Sequence, residues 1–308
     1  MSRDSLRLGL EQLPWRARGG DYPPLPLPPG GMPLRAGGAW RKRWRYTSAF
    51  GDELMICAAS VQIGPLGQTF WAILDRESGQ LHERTRMRLP GGRGEVWSED
   101  GRGGPWAMGS AAHGAVTRID SGEVRAKLVI GEGPWAEAIC PTGAGGEGAY
   151  VWTRKRVAPV SCDVRLPGGR RVRAEMRGLE DESAGYHPRH TVWSWSAGVG
   201  MALDGRAVGW NLVEGVNDPP ARSERAIWVE GEAEPREPGP VTFDGLEAVG
   251  FEGGESLRFS AEAERSRSEN KLIVKYSYRQ PFGTFTGSLD GIELVSGVGV
   301  MEHQDALW

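Results

Sequence analysis

The chain has 308 residues with 37 Lys and Arg against 40 Asp and Glu, a net charge of −3, and it contains 46 glycines and 21 prolines. That balance carries no basic excess, so no general affinity for nucleic acid or for anionic membranes is expected. The glycines and prolines punctuate apolar runs and do not form low-complexity tracts, which excludes a disordered chain and predicts two packed halves or one large β domain.

Cys57, Cys140 and Cys162 are far apart, odd in number and lack C-x-x-C spacing. Each sits in or near a strand-like run, so buried reduced thiols in a reducing compartment are expected. The first residues contain no apolar stretch of signal-peptide length, and no run approaches a membrane span. The expectation is a cytoplasmic protein with no integral membrane segment.

Residues 1–38 stand apart as an extended strap, proline-rich from Tyr22 to Gly30. From Trp40 the pattern turns to strands, separated by short Gly, Pro and Asp breaks. Trp40–Ser48, Leu54–Ile63, Thr69–Asp75 and Leu81–Leu89 come first. The basic run Arg41–Arg45 within the first of these reads as a charged edge strand. Ala115–Ile119 and Glu123–Ile130 flank a hairpin signal at Asp120–Gly122, and Tyr150–Val157, Ser161–Leu166 and Arg171–Met176 follow. The string LPGGR occurs at Leu89–Arg93 and again at Leu166–Arg170, each time between strand-like runs. No segment shows sustained helical periodicity with caps.

Residues 179–219 hold the densest chemistry. Asp204-Gly205 is a two-residue turn signal, and with those two as the turn Leu203 pairs with Arg206. That register puts Trp193, Trp195 and Trp210 on one apolar face with a single carboxylate, Glu214. The opposite face is built from small residues, with Asn211 as its main polar group. Two readings of Glu214 stand: a desolvated acid of raised pKa able to donate a proton, or a strand-end residue that reaches water or an arginine. The small face either lines a cavity or lets another sheet pack closely.

Upstream, Glu180–His190 reads as a loop leading into that hairpin, with Asp181, Glu182, Tyr186, His187 and His190 as candidate site residues. Pro188 breaks any helix that would set both histidines on one face, and no third histidine is near, so no metal is expected. The string Gly143–Gly148 fits G-x-G-x-x-G but precedes a strand-like run, which rejects dinucleotide binding. No nucleophile elbow or Walker pattern occurs, so no cofactor is expected.

The last third continues in strands: Ala226–Val229, Leu257–Glu264, Lys271–Arg279, and a hairpin about Asp290-Gly291 joining Thr284–Leu289 to Ile292–Val300. Glu302 and His303 are candidate partners of the central acids; the alternative is a closing strand or short helix that packs Trp308 into a barrel.

Several segments together resemble a bacterial family catalogued as domain of unknown function 2804. They are Arg45-Tyr46 with Phe50-Gly51, the run Asp181–Trp195, Asn211–Gly215, Pro281–Phe285 and Glu302–Trp308. That family is distantly similar to the lipocalin-like group of carotenoid hydratases, tocopherol cyclases and Diels–Alderases. The resemblance implies an all-β protein of two lipocalin-like, calycin-type antiparallel barrels or strongly curved sheets side by side, residues 39–178 and 179–308. It also implies a pocket for an apolar, isoprenoid-, polyene- or lipid-like small molecule. Three functions follow as expectations. The first is acid-promoted hydration, cyclisation or isomerisation, with Glu214, Asp181 or Glu182 as the acid. Trp193, Trp195, Trp210, Asn211, Tyr186, His187 and His190 would then shape the pocket. The second is a carrier without chemistry, and the third is a structural protein with filled barrels.

Overall fold

A computed structural model describes residues 3–17, 22–28, 31–36, 38–88, 94–99, 115–142, 148–271 and 274–307. In chain order its elements are α1 (Arg3–Glu11), β1 (Trp15–Arg16), β2 (Arg35–Ala36), β3 (Ala39–Trp40), β4 (Lys42–Phe50), β5 (Leu54–Ile63), β6 (Leu66–Asp75) and β7 (Gln80–Arg88). Next come β8 (Val96–Glu99), β9 (Ala115–Asp120), β10 (Arg125–Ile130), β11 (Ala136–Pro141), β12 (Tyr150–Arg165) and β13 (Arg171–Gly185). The rest are β14 (His190–Ala202), β15 (Ala207–Glu214), β16 (Ala226–Val229), β17 (Val241–Asp244), β18 (Ala248–Phe251), β19 (Ser256–Lys271), β20 (Val274–Leu289) and β21 (Ile292–Leu307).

These strands form two large antiparallel sheets. The first runs β7-β6-β5-β4-β13-β12-β10-β9-β8, with β11 pairing both β12 and β1. The second runs β16-β15-β14-β21-β20-β19-β18-β17. Both curl strongly, as the expected fold class requires. In the first, Ser60 Oγ on β5 donates to Val96 O on β8 at 3.1 Å, drawing strands from opposite arms together. In the second, β17 is drawn to β15 by Phe243 N donating to Glu214 Oε2 at 3.1 Å.

The break between the sheets falls at residues 186–189. Residues 179–185, expected in the second half and as part of a loop, are the end of β13 in the first sheet. The basic run Arg41–Arg45 is likewise no edge: β4 lies between β5 and β13. Residues 3–11, expected in the extended strap, form the amphipathic helix α1. Leu6 and Leu10 on that helix pack with Leu25 and Met32 against Tyr150, Trp152 and Tyr186. The first LPGGR string, residues 143–147 of the glycine-rich string, and Trp308 lie outside the described residues. The second LPGGR is a tight turn at Pro167–Gly169.

Alternation along the strands produces three layers of core. One lies inside the first sheet, around Ile56, Trp71, Leu128 and Val160. Another lies inside the second, around Val208, Trp210, Leu257 and Phe285. The third is a seam between the sheets, where Tyr46, Cys57 and Leu179 of the first meet Trp195, Phe282 and Val300 of the second. Each large side chain buried there contributes about 1.5–3 kcal/mol.

The hairpin β14–β15 has a register one step from the expected one. Met201 faces Ala207, Trp195 faces Val213 and Ser194 faces Glu214. The cause is the turn. Gly205 N donates to Ala202 O at 2.9 Å and Ala202 N donates to Arg206 O at 2.9 Å. Gly205 alone takes a left-handed φ, 85°. This is a three-residue loop, Leu203–Gly205, closed by a glycine bulge, not a two-residue turn. Because side chains alternate, the shift by one moves Trp210 to the face opposite Trp195. Trp210 fills the second sheet's interior and lies edge-on to Phe285 at 5.0 Å. The small residues serve close packing: a Cβ on Gly198 would sit 2.2 Å from Trp210 Cζ2, and one on Gly209 would sit 2.8 Å from the Val157 methyls across the seam. Gly198→Ala is therefore expected to destabilise the protein by about 1–3 kcal/mol in urea unfolding; a loss under about 0.5 kcal/mol would contradict this packing.

Candidate functional site

Strand β21 carries Val300, Glu302 and Gln304 on one face, and that face meets the seam. Val300 belongs to the seam core, and Glu302 beside it is buried. Trp193 Nε1 from β14 donates to Glu302 Oε1 at 2.8 Å. Gln280 Nε2 from β20 donates to Oε2 at 2.8 Å. The other end of the Gln280 amide lies 3.5 Å from Cys57 Sγ on β5, so its orientation is set from the first sheet. Burial disfavours the carboxylate more than the Trp193 and Tyr278 donors and the Arg265 charge favour it, and the Glu302 pKa is pushed up to about 7. Near neutral pH this group exchanges a proton.

Aromatic and hydroxyl groups surround it. Tyr46 on β4 meets Trp195 edge-on at 5.4 Å and tilts against Phe70 at 6.4 Å. Phe70 in turn lies 6.4 Å from Tyr278 on β20. The hydroxyls of Tyr46 and Tyr278 are buried, Tyr278 against the Glu302 carboxylate and Tyr46 against the Cys57 thiol. Burial pushes both phenols well above their ordinary value, and the Glu302 charge adds to the effect. Arg265 on β19 stacks over the Phe70 and Tyr278 rings at 4.2 and 4.7 Å. Its guanidinium reaches across the seam to Thr85 Oγ1 at 2.8 Å and Glu83 at 3.2 Å. Cys57 is inert in this setting, its thiol pushed up to about 12 by burial.

A second polar group lies in the same seam. Lys155 Nζ pairs with Asp181 Oδ2 at 2.6 Å and with Glu224 Oε1 at 3.3 Å. Burial alone would lower the Lys155 pKa, but the two carboxylates outweigh it and raise the value. Asn217 donates to Glu224 Oε2 at 2.9 Å. Asn211 donates to the Glu224 carbonyl at 3.0 Å and accepts from Trp195 Nε1 at 2.7 Å. The second oxygen of Asp181, Oδ1, is buried without a hydrogen-bond partner, and its charge helps raise the Glu302 pKa.

Of the expected site residues, the structure brings Asp181, Trp193, Trp195 and Asn211 to this seam. The others go elsewhere. Glu182 points to the opposite face of β13, where Arg154 at 2.7 Å and Arg45 at 3.2 Å hold it beside Glu180. Trp210 lies inside the second sheet. Glu214 ends β15 and accepts from the Phe243 amide, bonded neither to an arginine nor to a tryptophan, and the tryptophan-bound acid is Glu302 instead. Tyr186 donates to the Pro33 carbonyl at 2.7 Å and anchors the N-terminal segment. His187 is buried against Trp44, and burial pulls its pKa down to about 3. His190 sits on the surface with its Nε2 2.8 Å from Asp305. Among the described residues no three His, Cys, Asp or Glu side chains form a metal-binding group. No helix there is long and apolar enough to cross a membrane.

Residues 110–308 match the family described as a domain of unknown function, DUF2804, and the chain belongs to that family. No curated protein matches. Among solved structures, kievitone hydratase from Nectria haematococca superposes with a TM-score of 0.52 at 10% identity, covering 87% of this chain and 89% of that one. An AttH candidate from Nitrosomonas europaea gives 0.48 at 12% identity, with 91% and 98% covered. CghA bound to Sch210972 gives 0.41 at 11% identity, with 87% and 88% covered. The likeness to the hydratase shows that the fold is the lipocalin-like one.

Two outcomes test this geometry. The unfolded Glu302 titrates near 4.5 and the folded one near 7. Between those values the folded state binds more protons, so stability falls as pH rises through the window. Glu302→Gln removes that penalty. Relative to wild type it should gain about 3 kcal/mol on going from about pH 4 to about pH 8, measured by urea unfolding of both proteins; a pH-independent difference would contradict a raised pKa. Lys155→Met strips the cation from Asp181 and Glu224 and should destabilise by about 3–5 kcal/mol, whereas a neutral effect would mean that the two acids are not held as buried charges.

Proposed function

We propose that the seam between the sheets takes up an apolar small molecule and that Glu302 transfers a proton to or from it, in a hydration, cyclisation or isomerisation. The observation that carries this reading is a buried carboxyl with a pKa of about 7, placed among aromatic rings and beside the buried hydroxyls of Tyr46 and Tyr278. An acid of that kind is matched to neutral-pH proton transfer. Such a group is an expensive way to fill a core, because apolar residues would pack there without a desolvation penalty.

The surrounding charges narrow the chemistry. Arg265 already covers the Phe70 and Tyr278 faces with a cation. A second positive charge developing in the substrate would be repelled by it. Arg265, Tyr46 and Tyr278 suit a developing negative charge on oxygen, so a substrate with a carbonyl or enol next to its apolar body fits best. In this reading Glu302 is the acid–base residue, the two tyrosines donate to the substrate oxygen, and Trp193 and Trp195 shape the apolar wall. Asp181, held by Lys155, acts through its charge on Glu302 as a positioning residue. The likeness to a hydratase supports the fold and is compatible with this class, as an analogy.

The test is to extract apolar ligands from protein purified from its own host, identify them by mass spectrometry, and incubate them with fresh protein. Wild type should convert the ligand to a product of new or rearranged mass spectrum. Glu302→Gln should retain the ligand and lose conversion by about 100-fold or more, the usual range for a general acid, while Glu214→Gln should convert normally. Ligand returned unchanged by wild type would identify a carrier and overturn the catalytic reading.

A further inference from the structure

The loop 215–225 joins β15 to β16 and touches both polar groups of the seam. At its start, a Cβ on Gly215 would sit 2.4 Å from Val192 O and 3.2 Å from Trp193 Cα. The loop root therefore lies on β14 at the residue that donates to Glu302. Val216, the next residue, packs against the seam core. At the loop's end, Glu224 pairs with Lys155 at 3.3 Å, and Asn217 donates to the same carboxylate at 2.9 Å. Asn217 and Glu224 are buried, whereas Pro220, Ala221 and Arg222 are exposed. The loop covers the seam with a polar underside and a solvated back.

Its fastening comes from the N-terminal segment. Arg16 on β1 is buried, and β1 pairs with β11 of the first sheet, Trp15 facing Ile139 and Arg16 facing Ala138. The Arg16 guanidinium crosses to the loop, where Nη1 donates to Ser223 O and, at 2.8 Å, to Arg225 O. Those two carbonyls flank Glu224. Arg222 Nη1 donates back to Pro14 O at 3.2 Å. Charge-assisted bonds thus fix the backbone on either side of the Lys155 partner. Asn217 and Arg222 hold left-handed φ of 48° and 61°, which residues other than glycine keep only where contacts enforce it. The N-terminal segment is itself held by a small apolar patch, in which half-buried Leu6, Leu10, Leu13 and Trp15 pack against Ile139, Tyr150 and Trp152.

We infer that the loop 215–225 is the port by which an apolar ligand enters the seam, and that Arg16 is the latch that keeps it shut. The contacts that close the loop are hydrogen bonds to backbone carbonyls and polar side chains, which water replaces when the loop lifts. The walls of the seam are strands joined by continuous ladders, which resist local opening. Residues 215–225 belong to no ladder, so their lifting uncovers Val216 and Trp193, and Glu302 behind them, without breaking a sheet. The port rests on the proposed uptake of an apolar molecule; the latch does not.

Two measurements on the full chain test this. In hydrogen–deuterium exchange, Arg16→Met should raise exchange across residues 215–225 by roughly tenfold or more and leave β17 and β18 at the wild-type rate. Leu6→Ser with Leu10→Ser loosens the latch without touching the loop and should act in the same direction to a smaller degree. Unchanged exchange at 215–225 in both variants, or a rise spread equally over β17 and β18, would overturn the latch. In stopped-flow uptake of the neutral apolar fluorophore phenylnaphthylamine, Arg16→Met should speed association and dissociation by a similar factor, roughly tenfold, with affinity little changed. Rates equal to wild type would overturn the port. No uptake by either protein would overturn the proposed function and the port together, and the exchange result would still decide the latch.

Discussion

Two curled sheets press together along one seam, and that seam has to bury charge. Lys155, Asp181, Glu224 and Glu302 all lie in it with almost no solvent contact. In such surroundings an ionised group persists only when paired and hydrogen-bonded; otherwise it takes the neutral form. Lys155 satisfies the condition by pairing with Asp181 and Glu224. Glu302 has donors from Trp193 and Gln280 but no cation paired with it, so burial moves its proton equilibrium to about pH 7. One physical constraint thus divides the seam into a fixed ion cluster and a titrating acid.

The same constraint ties the two sheets to one another. Gln280 of the second sheet is oriented by Cys57 of the first, and Arg265 of the second reaches Thr85 and Glu83 of the first. Glu302 is therefore positioned by side chains from both halves. Neither sheet alone would bury the carboxyl, and burial is what raises its pKa. The architecture of two packed halves is thus a condition of the acid–base site as well as a way to bury apolar area.

Most of the strands were legible because their signals are local. Leu54–Ile63 and Ala226–Val229 appear with unchanged ends, bounded by turn residues. Asp290-Gly291 forms the expected two-residue turn, with Leu289 facing Ile292 and both turn residues at left-handed φ. The same dipeptide at 204–205 closes a three-residue loop, and nothing local distinguishes the two cases. That one-step shift separated Trp210 from Trp195 and removed Glu214 from the tryptophan face. The acid run at 180–182 was unreadable as strand because its partners lie far away in sequence: Arg45 on β4 and Arg154 to Arg156 on β12. Glu302 did leave a signal. Val298, Val300, Glu302, Gln304 and Ala306 alternate on one face, and an acid on the apolar face of a long strand marks a buried carboxyl. Its hydrogen-bond partners, from β14 and β20, could be assigned only in the folded chain.

The central claim concerns Glu302, and its most direct test is a titration of that one carboxyl. Carbon-13 spectra of protein labelled at glutamate side-chain carboxyls, assigned with Glu302→Gln, would follow it across the pH range. The account predicts a midpoint of about 7. A midpoint near the ordinary glutamate value of about 4.3 would contradict it.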